Sequence, residues 1–207
     1  MLEKNTLNTN RAKILRMTQV ALLAALEIIL TLLYISVGTI NINFGLVPII
    51  IAAVCLSPWH GALIGAVSGF VTMFQVLTGQ GAFYVFLMSY NPLVACILCV
   101  AKTTAAGLII CLVYKWIAGG GKRKTVASVV ASVLCPIINT GIFALGMLTV
   151  FGNGLLADPT FSALSPDLFV IVFVFLIGAN FFVELAVSLA VGPVITRTLL
   201  NTKFFKK

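Results

Sequence analysis

Long apolar runs that contain almost no charged residues constrain the fold of this chain more than any other feature. Hydrophobic residues occupy 61% of the 207 positions, charged residues occupy only 9%, and the mean hydropathy is +1.17. A water-soluble domain carries about 25% charged residues. Because this deficit is too large for an ordinary hydrophobic core, we predict an integral membrane protein. The length suits one compact bundle rather than two domains.

Six apolar segments are predicted to be membrane-spanning helices. They run at about 17–36, 46–56, 59–77, 92–118, 126–151 and 168–199. The second is short, since about 11 residues make only about 16 Å of helix against a hydrocarbon core of about 30 Å. We expect it to be tilted, extended by the preceding NINFG, or partly re-entrant. The predicted fold is an all-α membrane protein, a six-helix transmembrane bundle in a single domain at 17–199.

Clusters of basic residues predict the orientation of this bundle. They lie before the first span, between the fourth and fifth spans, and at the end of the chain: Lys4, Arg11, Lys13, Arg16, Lys115, Lys122, Arg123, Lys124, Arg197, Lys203, Lys206 and Lys207. Six spans place all three clusters on one side, which the positive-inside rule makes the cytoplasm. Both termini are therefore expected there, as a segment at 1–16 and a basic tail at 200–207.

The net charge of +8 thus reports topology, and no nucleic-acid partner is expected, because no soluble basic face with interleaved aromatics is present. Residues with catalytic or metal-binding chemistry are also scarce. Cys96 and Cys99 form a CxxC without a second pair, and His60 is the sole histidine of the sequence. No phosphate-binding GxxxxGK[ST] motif occurs. We therefore predict no catalytic residue, no metal and no cofactor.

Three ionisable residues inside the predicted spans are the most unusual feature of the sequence. Glu27, Lys102 and Glu184 each interrupt an apolar run, at a cost of about 2.5–3.5 kcal/mol on insertion scales. Lys102 lies about 15 Å below the outer end of its helix at 1.5 Å per residue. Three roles stay open for it: an ion pair with Glu184 or Glu27, a counter-charge for an anionic ligand, or a proton relay. The ligand role is favoured.

The ligand role is favoured because carboxamides, which both donate and accept hydrogen bonds, are expected near Lys102. Asn139 and Asn180 lie at a similar depth in the fifth and sixth spans, and a cavity between these helices is the predicted substrate site. Further polar and aromatic candidates lie near the outer ends of the spans and in the outer links: Gln75, Asn43, Tyr84, Tyr90 and Asn91. A few polar groups among aromatic walls are typical of a small-molecule site. For the two tyrosines the alternative is an interfacial aromatic belt.

Small residues at four-residue spacing mark two helix faces. Gly61, Gly65 and Gly69 form a doubled GxxxG, which allows another helix to approach closely. Packing within the bundle is the favoured interpretation, and a surface for a partner subunit is the alternative. Ala21 and Ala25 form an AxxxA in the first span and are the candidate docking residues.

One stretch carries a more specific pattern. The residues VPIIIAAVCLSPWHGALIGAVSGF follow the form LPIIxAAxxxGPxxGAxxGxxxG, with Ser57 in place of the usual glycine. With the basic N-terminus, the alanine motif and six spans in about 200 residues, the chain resembles the substrate-binding S components of energy-coupling factor (ECF) vitamin transporters. The stretches NPLVACILCVAKTTAAGLIICLVYKWI, PIINTGIFALGML and ANFFVELAVSLAVGPVI are most similar to the pantothenate-type branch.

This resemblance implies a subunit in the cell membrane of a prokaryote that binds a vitamin from outside. It implies docking on a transmembrane coupling subunit, which the alanine motif (Ala21 and Ala25 here) would contact, and on two ATPase subunits. It also implies that the whole subunit topples in the membrane to release the vitamin inward.

Pantothenate is favoured as the vitamin, because its one carboxylate, two hydroxyls and amide suit one buried lysine among carboxamides. Riboflavin and folate are the alternative vitamins. A stand-alone small-solute carrier and a membrane enzyme are the alternative function classes.

Overall fold

The computed structural model of the chain describes residues 2–37, 40–119 and 123–202; within these ranges, the side chains of 2–9, 34–43 and 201 are not described. The helices are α1 (Leu2–Leu32), α2 (Leu46–Cys55), α3 (Pro58–Leu77), α4 (Ala82–Tyr90), α5 (Pro92–Ala118), α6 (Lys124–Gly146), α7 (Gly152–Ala157), α8 (Pro159–Ser162), α9 (Leu168–Val170) and α10 (Ala179–Asn201). The π-helical segments Met147–Phe151 and Ile171–Gly178 join α6 to α7 and α9 to α10. The strands are β1 (Tyr34–Val37) and β2 (Ile40–Asn43).

The predicted fold class, a helical membrane protein, is confirmed. Five segments of the described chain are long and apolar enough to cross a membrane: Asn10–Leu32, Pro58–Leu77, Pro92–Ala118, Lys124–Ala157 and Leu168–Leu200. They correspond to five of the six predicted spans. The total number of spans, the orientation of the termini and the domain limits stay predictions.

The short second predicted span, helix α2, lies at the centre of the bundle. All 10 residues of α2 are buried, and α1, α3, α5, α6 and α10 pack around it. Its sequence, LVPIIIAAVC, is apolar on every side, which is the pattern of a fully buried helix. Because protein rather than lipid surrounds α2, its length need not match the hydrocarbon core.

The link before α2 forms a β-hairpin. Strands β1 and β2 pair antiparallel, with Tyr34 opposite Asn43 and Val37 opposite Ile40. Two sequence predictions are therefore wrong here. The first helix ends at Leu32 rather than near 36, and NINFG does not extend α2 because most of it is strand β2. Branched residues at alternate positions favour the extended conformation.

The link between α3 and α5, predicted to be a partly buried loop, contains the helix α4. Phe83, Phe86 and Leu87 are its buried residues, and their spacing of three and four places them on one face. In the link between α6 and α10, Asp158 and Asp167 begin short helices, because their carboxylates accept hydrogen bonds from the backbone N–H groups of Thr160 and Phe169, both at 2.8 Å.

The doubled GxxxG lies on α3, on the face that packs against α5. A Cβ atom added to Gly61 would lie 2.6 Å from the Gly107 carbonyl oxygen, and one added to Gly69 would lie 2.5 Å from the Cα of Val100. One added to Gly65 would overlap the carbonyl of Thr103. In this structure the glycines thus face a neighbouring helix of the same chain, and they bring α5 close to α3 along its length.

Candidate functional site

A cavity lies among α3, α4, α5, α6 and α10, with about 990 Å³ of empty space when its open mouth is included. Its polar lining residues are Ser68, Thr72, Gln80, Tyr84, Lys102, Thr103, Asn139, Thr140, Asn180 and Glu184. Its apolar walls include Leu46, Phe83, Leu87, Leu98, Phe143, Leu176 and Ile177. The cavity therefore combines an apolar body with polar groups from several helices.

Three predicted site residues from three different helices meet at this cavity. Lys102 lies on α5, Asn139 on α6 and Asn180 on α10, and Glu184 lies one turn beyond Asn180. Measured from the helix ends at Ala118, Lys124 and Asn201, the side chains at 102, 139 and 184 are each about 22–26 Å along their helices. The three side chains therefore lie at similar distances from the ends of their helices.

Lys102 contacts an aromatic ring in the cavity wall. Its Nζ lies 5.0 Å from the centroid of the Phe143 ring, within the range of a cation–π interaction. In the described part of the chain, neither Glu184 nor Glu27 forms an ion pair with it, although Glu184 is near enough to interact electrostatically. The lysine is therefore half-buried without a direct carboxylate partner.

Glu184 is the second charged group in the cavity and is held by carboxamides. Only 6% of its surface is exposed. The Nδ2 of Asn180 donates a hydrogen bond to its Oε1 at 3.1 Å, and the Asn139 carboxamide contacts the same carboxylate from α6. Its other oxygen, Oε2, has no hydrogen-bond partner among the described residues. Sequence reasoning considered Glu184 only as a partner for Lys102.

Four of the other predicted site residues lie apart from this cavity or outside the description. Gln75 is buried and donates from Nε2 to the backbone oxygen of Thr31 at 3.2 Å. Asn91 begins α5 by accepting from Val94 N at 3.2 Å. Tyr90 packs on Phe86 and Phe151. The side chain of Asn43 lies outside the described residues.

Gln75, Asn91 and Tyr90 are not among the residues that line this cavity, and a role for them in substrate binding stays a prediction. Tyr84, in contrast, lines the cavity.

Sequence reasoning missed several lining residues. Ser68 and Thr72 lie one turn apart on α3, and Asn139 and Phe143 lie one turn apart on α6. Spacing of four residues could have indicated these shared faces. No pattern singled out Gln80, because it lies in a link whose path depends on the packing of α4.

Glu27 lies outside this cavity. It is 0% exposed, Thr31 Oγ1 donates to its Oε1 at 2.8 Å, and Ser68 is a second hydrogen-bonding neighbour. A Cβ at Gly45 would lie 2.7 Å from the same Oε1. Glu27 therefore joins α1, α3 and the start of α2.

The alanines of the first span are on the surface. Ala21 and Ala25 are exposed on α1, and neighbouring apolar side chains are exposed as well, among them Leu22 at 61% and Ile29 at 54%. This face is free of charged groups between Met17 and Leu26, and the exposed hydroxyl of Thr18 donates to the backbone oxygen of Ile14 at 3.0 Å.

Comparison with known families identifies one match. The profile of the family described as "ECF transporter, substrate-specific component" matches residues 15–196. No curated protein matches the chain. The matched region contains α2, the cavity and the exposed alanines.

Proposed function

The chain belongs to the family of substrate-specific components of ECF transporters, and from this premise we propose that its cavity captures a vitamin for import. The observation that carries the proposal is the cavity itself. It brings together one lysine that has no ion-pair partner among the described residues, a carboxylate and two asparagines. Such groups within a membrane span are costly, and where they occur they mark functional sites.

Pantothenate is the proposed ligand. Its carboxylate would pair with Lys102, and its hydroxyl and amide groups would bond to Asn139, Asn180 and Glu184. The apolar walls, with Phe83 and Leu176 among them, would cover its methyl groups. Tyr84 and Gln80 line the cavity from a link that contains no lysine or arginine, and they are proposed to border an opening toward the outside.

The chain acts in this proposal as a transport subunit rather than an enzyme, in the cell membrane of a prokaryote. Its partners are a transmembrane coupling subunit and two ATPase subunits, which supply the energy for release inward. The exposed alanine face of α1 is the proposed contact with the coupling subunit.

We expect pantothenate to raise the melting temperature of the purified protein in a screen of water-soluble vitamins. A ligand that binds only the folded state stabilises it by about 2.7 kcal/mol at 100 times its Kd. Pyridoxine, which carries no carboxylate, is the matched negative ligand. Stabilisation by riboflavin or folate but not pantothenate would contradict the choice of vitamin, and no stabilisation by any vitamin would contradict the proposed function.

The transport arrangement has its own test. Uptake of labelled pantothenate is expected in liposomes that contain the coupling and ATPase subunits with ATP inside. Liposomes that contain this chain alone are the control. Equal uptake in both would instead support a stand-alone carrier.

Ala21→Trp and Ala25→Trp are expected to reduce uptake at least about tenfold while ligand affinity stays within about twofold. A bulky ring on this exposed face would hold a partner helix away, because close packing of small residues drives helix association in membranes. Uptake and equilibrium binding measure the two effects separately. Ala186→Trp, at an exposed alanine of α10, is the control and should keep uptake. Loss of affinity in the α1 variants would show that these alanines serve internal packing.

A further inference from the structure

We infer that the ligand of this cavity carries an anionic group at one end and several hydrogen-bond donors, such as hydroxyl, amide N–H or ammonium groups, at the other. The anionic end lies at Lys102. The donor end lies at an acceptor cluster formed by Glu184, Asn139 and Asn180. This inference rests on the proposed function and specifies the chemistry that the site selects.

The acceptor cluster is defined by three buried oxygen atoms that lack a donor. They are Oε2 of Glu184 and the Oδ1 atoms of Asn139 and Asn180, none of which has a hydrogen-bond partner among the described residues. Glu184 and Asn139 are each only 6% exposed. Since all three residues line the cavity, a molecule in it is the available source of donors.

The chemistry of the carboxylate fixes which atoms of the asparagines stay free. A carboxylate only accepts hydrogen bonds, so each carboxamide must present its nitrogen to Glu184. The Nδ2 of Asn180 does this at 3.1 Å, and the Asn139 carboxamide interacts with the same carboxylate. Their carbonyl oxygens are consequently left without partners. The cluster therefore consists of acceptors, and a ligand end that also carries only acceptors would not match it.

A buried acceptor without a donor costs free energy, so a ligand end packed against these oxygens must supply hydrogen bonds or lose affinity. The apolar neighbours Leu176 and Ile177 cannot supply donors, and the lining residues that carry donors, such as Lys102 and Thr140, do not bond to these oxygens. The ligand is therefore assigned these donors, and at least two are needed to serve oxygens on both α6 and α10.

The positive charge of Lys102, in the same cavity, selects the anionic end of the ligand. Lys102 Nζ contacts the ring of Phe143 and forms no ion pair within the described chain. An anionic ligand group can approach it without displacing a protein carboxylate. Glu184 repels an anionic group placed beside it, so the inference disfavours a dianion with charges at both ends.

Glu184→Gln is the substitution that tests the inference. It removes the negative charge and keeps the size and one acceptor oxygen. Hydrogen bonds to charged groups are strong, and we expect pantothenate affinity to fall about 10- to 100-fold. The bis-O-methyl ether of pantothenate lacks the two hydroxyl donors and keeps the amide N–H, so the substitution should weaken its binding much less than that of pantothenate. Glu184→Asp, which keeps the charge, should recover part of the lost affinity.

Glu27→Gln is the matched control, because it makes the same change at a buried carboxyl that does not line the cavity. It should leave pantothenate affinity within about threefold of the original. An equal loss for pantothenate and its ether in Glu184→Gln would overturn the inference, since Glu184 would then shape the site without accepting from the ligand. Nicotinate, an anion without donors at its other end, must bind at least about thirtyfold more weakly than pantothenate; equal affinity would also overturn it.

The same measurements separate this inference from the proposed function. Binding of no vitamin to the original chain would reject the function. Tight binding of thiamine, a cation without an anionic group, would keep the function and reject the inference. Tight binding of biotin, which has a carboxylate and two ring N–H donors, would keep both and reject only pantothenate.

Discussion

Lys102→Met is expected to weaken pantothenate binding by at least about 100-fold. Removing one partner of a buried ion pair costs about 3–5 kcal/mol, and each 1.4 kcal/mol is tenfold in affinity. Methionine fills similar space and keeps contact with the Phe143 ring, which lies 5.0 Å from the lysine nitrogen. Isothermal titration calorimetry on the purified variant measures the change.

Two comparisons make this result specific to the charge. Lys115→Met removes an exposed lysine near the end of the same helix and should leave the affinity unchanged. Panthenol, in which an alcohol replaces the carboxylate, should bind the Lys102→Met variant as well as it binds the original chain. A loss below about threefold for pantothenate would show that Lys102 is not the counter-charge of the ligand.

Gly65→Ala is expected to have the second largest effect, on stability. The new methyl group would overlap the carbonyl oxygen of Thr103, with its carbon at 2.8 Å and the Cα of Thr104 at 3.0 Å. Because the obstacle is backbone, α3 and α5 must move apart, and overpacking of this kind costs about 1–3 kcal/mol. We expect a fall of about 5–10 °C in melting temperature, together with weaker ligand binding, since Thr103 lines the cavity.

Gly141→Ala is the matched control for this helix contact. A Cβ atom at Gly141 has nothing within 4 Å, and the residue lies inside α6, so alanine should be tolerated there. Thermal unfolding followed by size-exclusion chromatography distinguishes the two variants. An unchanged melting temperature for Gly65→Ala would mean that the α3–α5 contact does not require glycine.

The sequence alone determined the class of protein and most helix limits. The fourth predicted span, 92–118, coincides with α5, because Asn91 and Pro92 begin the helix and the glycines after Ala118 follow its end. Such limits depend on local properties, namely transfer of apolar residues into lipid and capping of helix ends. The rarity of a lysine within a span likewise identifies Lys102 as a candidate binding residue from the sequence alone.

The sequence could not determine which side of each helix faces the cavity. Lipid and the protein interior are both apolar, so a membrane helix shows no polar stripe that marks its outer face. Gln75 was therefore predicted to line the site, whereas it is turned toward the backbone of Thr31. Asn91 was predicted to bind the substrate, and in the structure its side chain caps the N-terminus of α5.

Only the tertiary structure decided how the charged and polar residues meet. Packing of α5, α6 and α10 around the short helix α2 brings Lys102, Asn139 and Glu184 to one cavity. The same packing places Lys102 against the Phe143 ring. It leaves the Glu184 carboxylate hydrogen-bonded to Asn180 rather than paired with the lysine. These contacts join residues far apart in the chain, and their geometry follows from helix rotation and depth, which no local sequence pattern encodes.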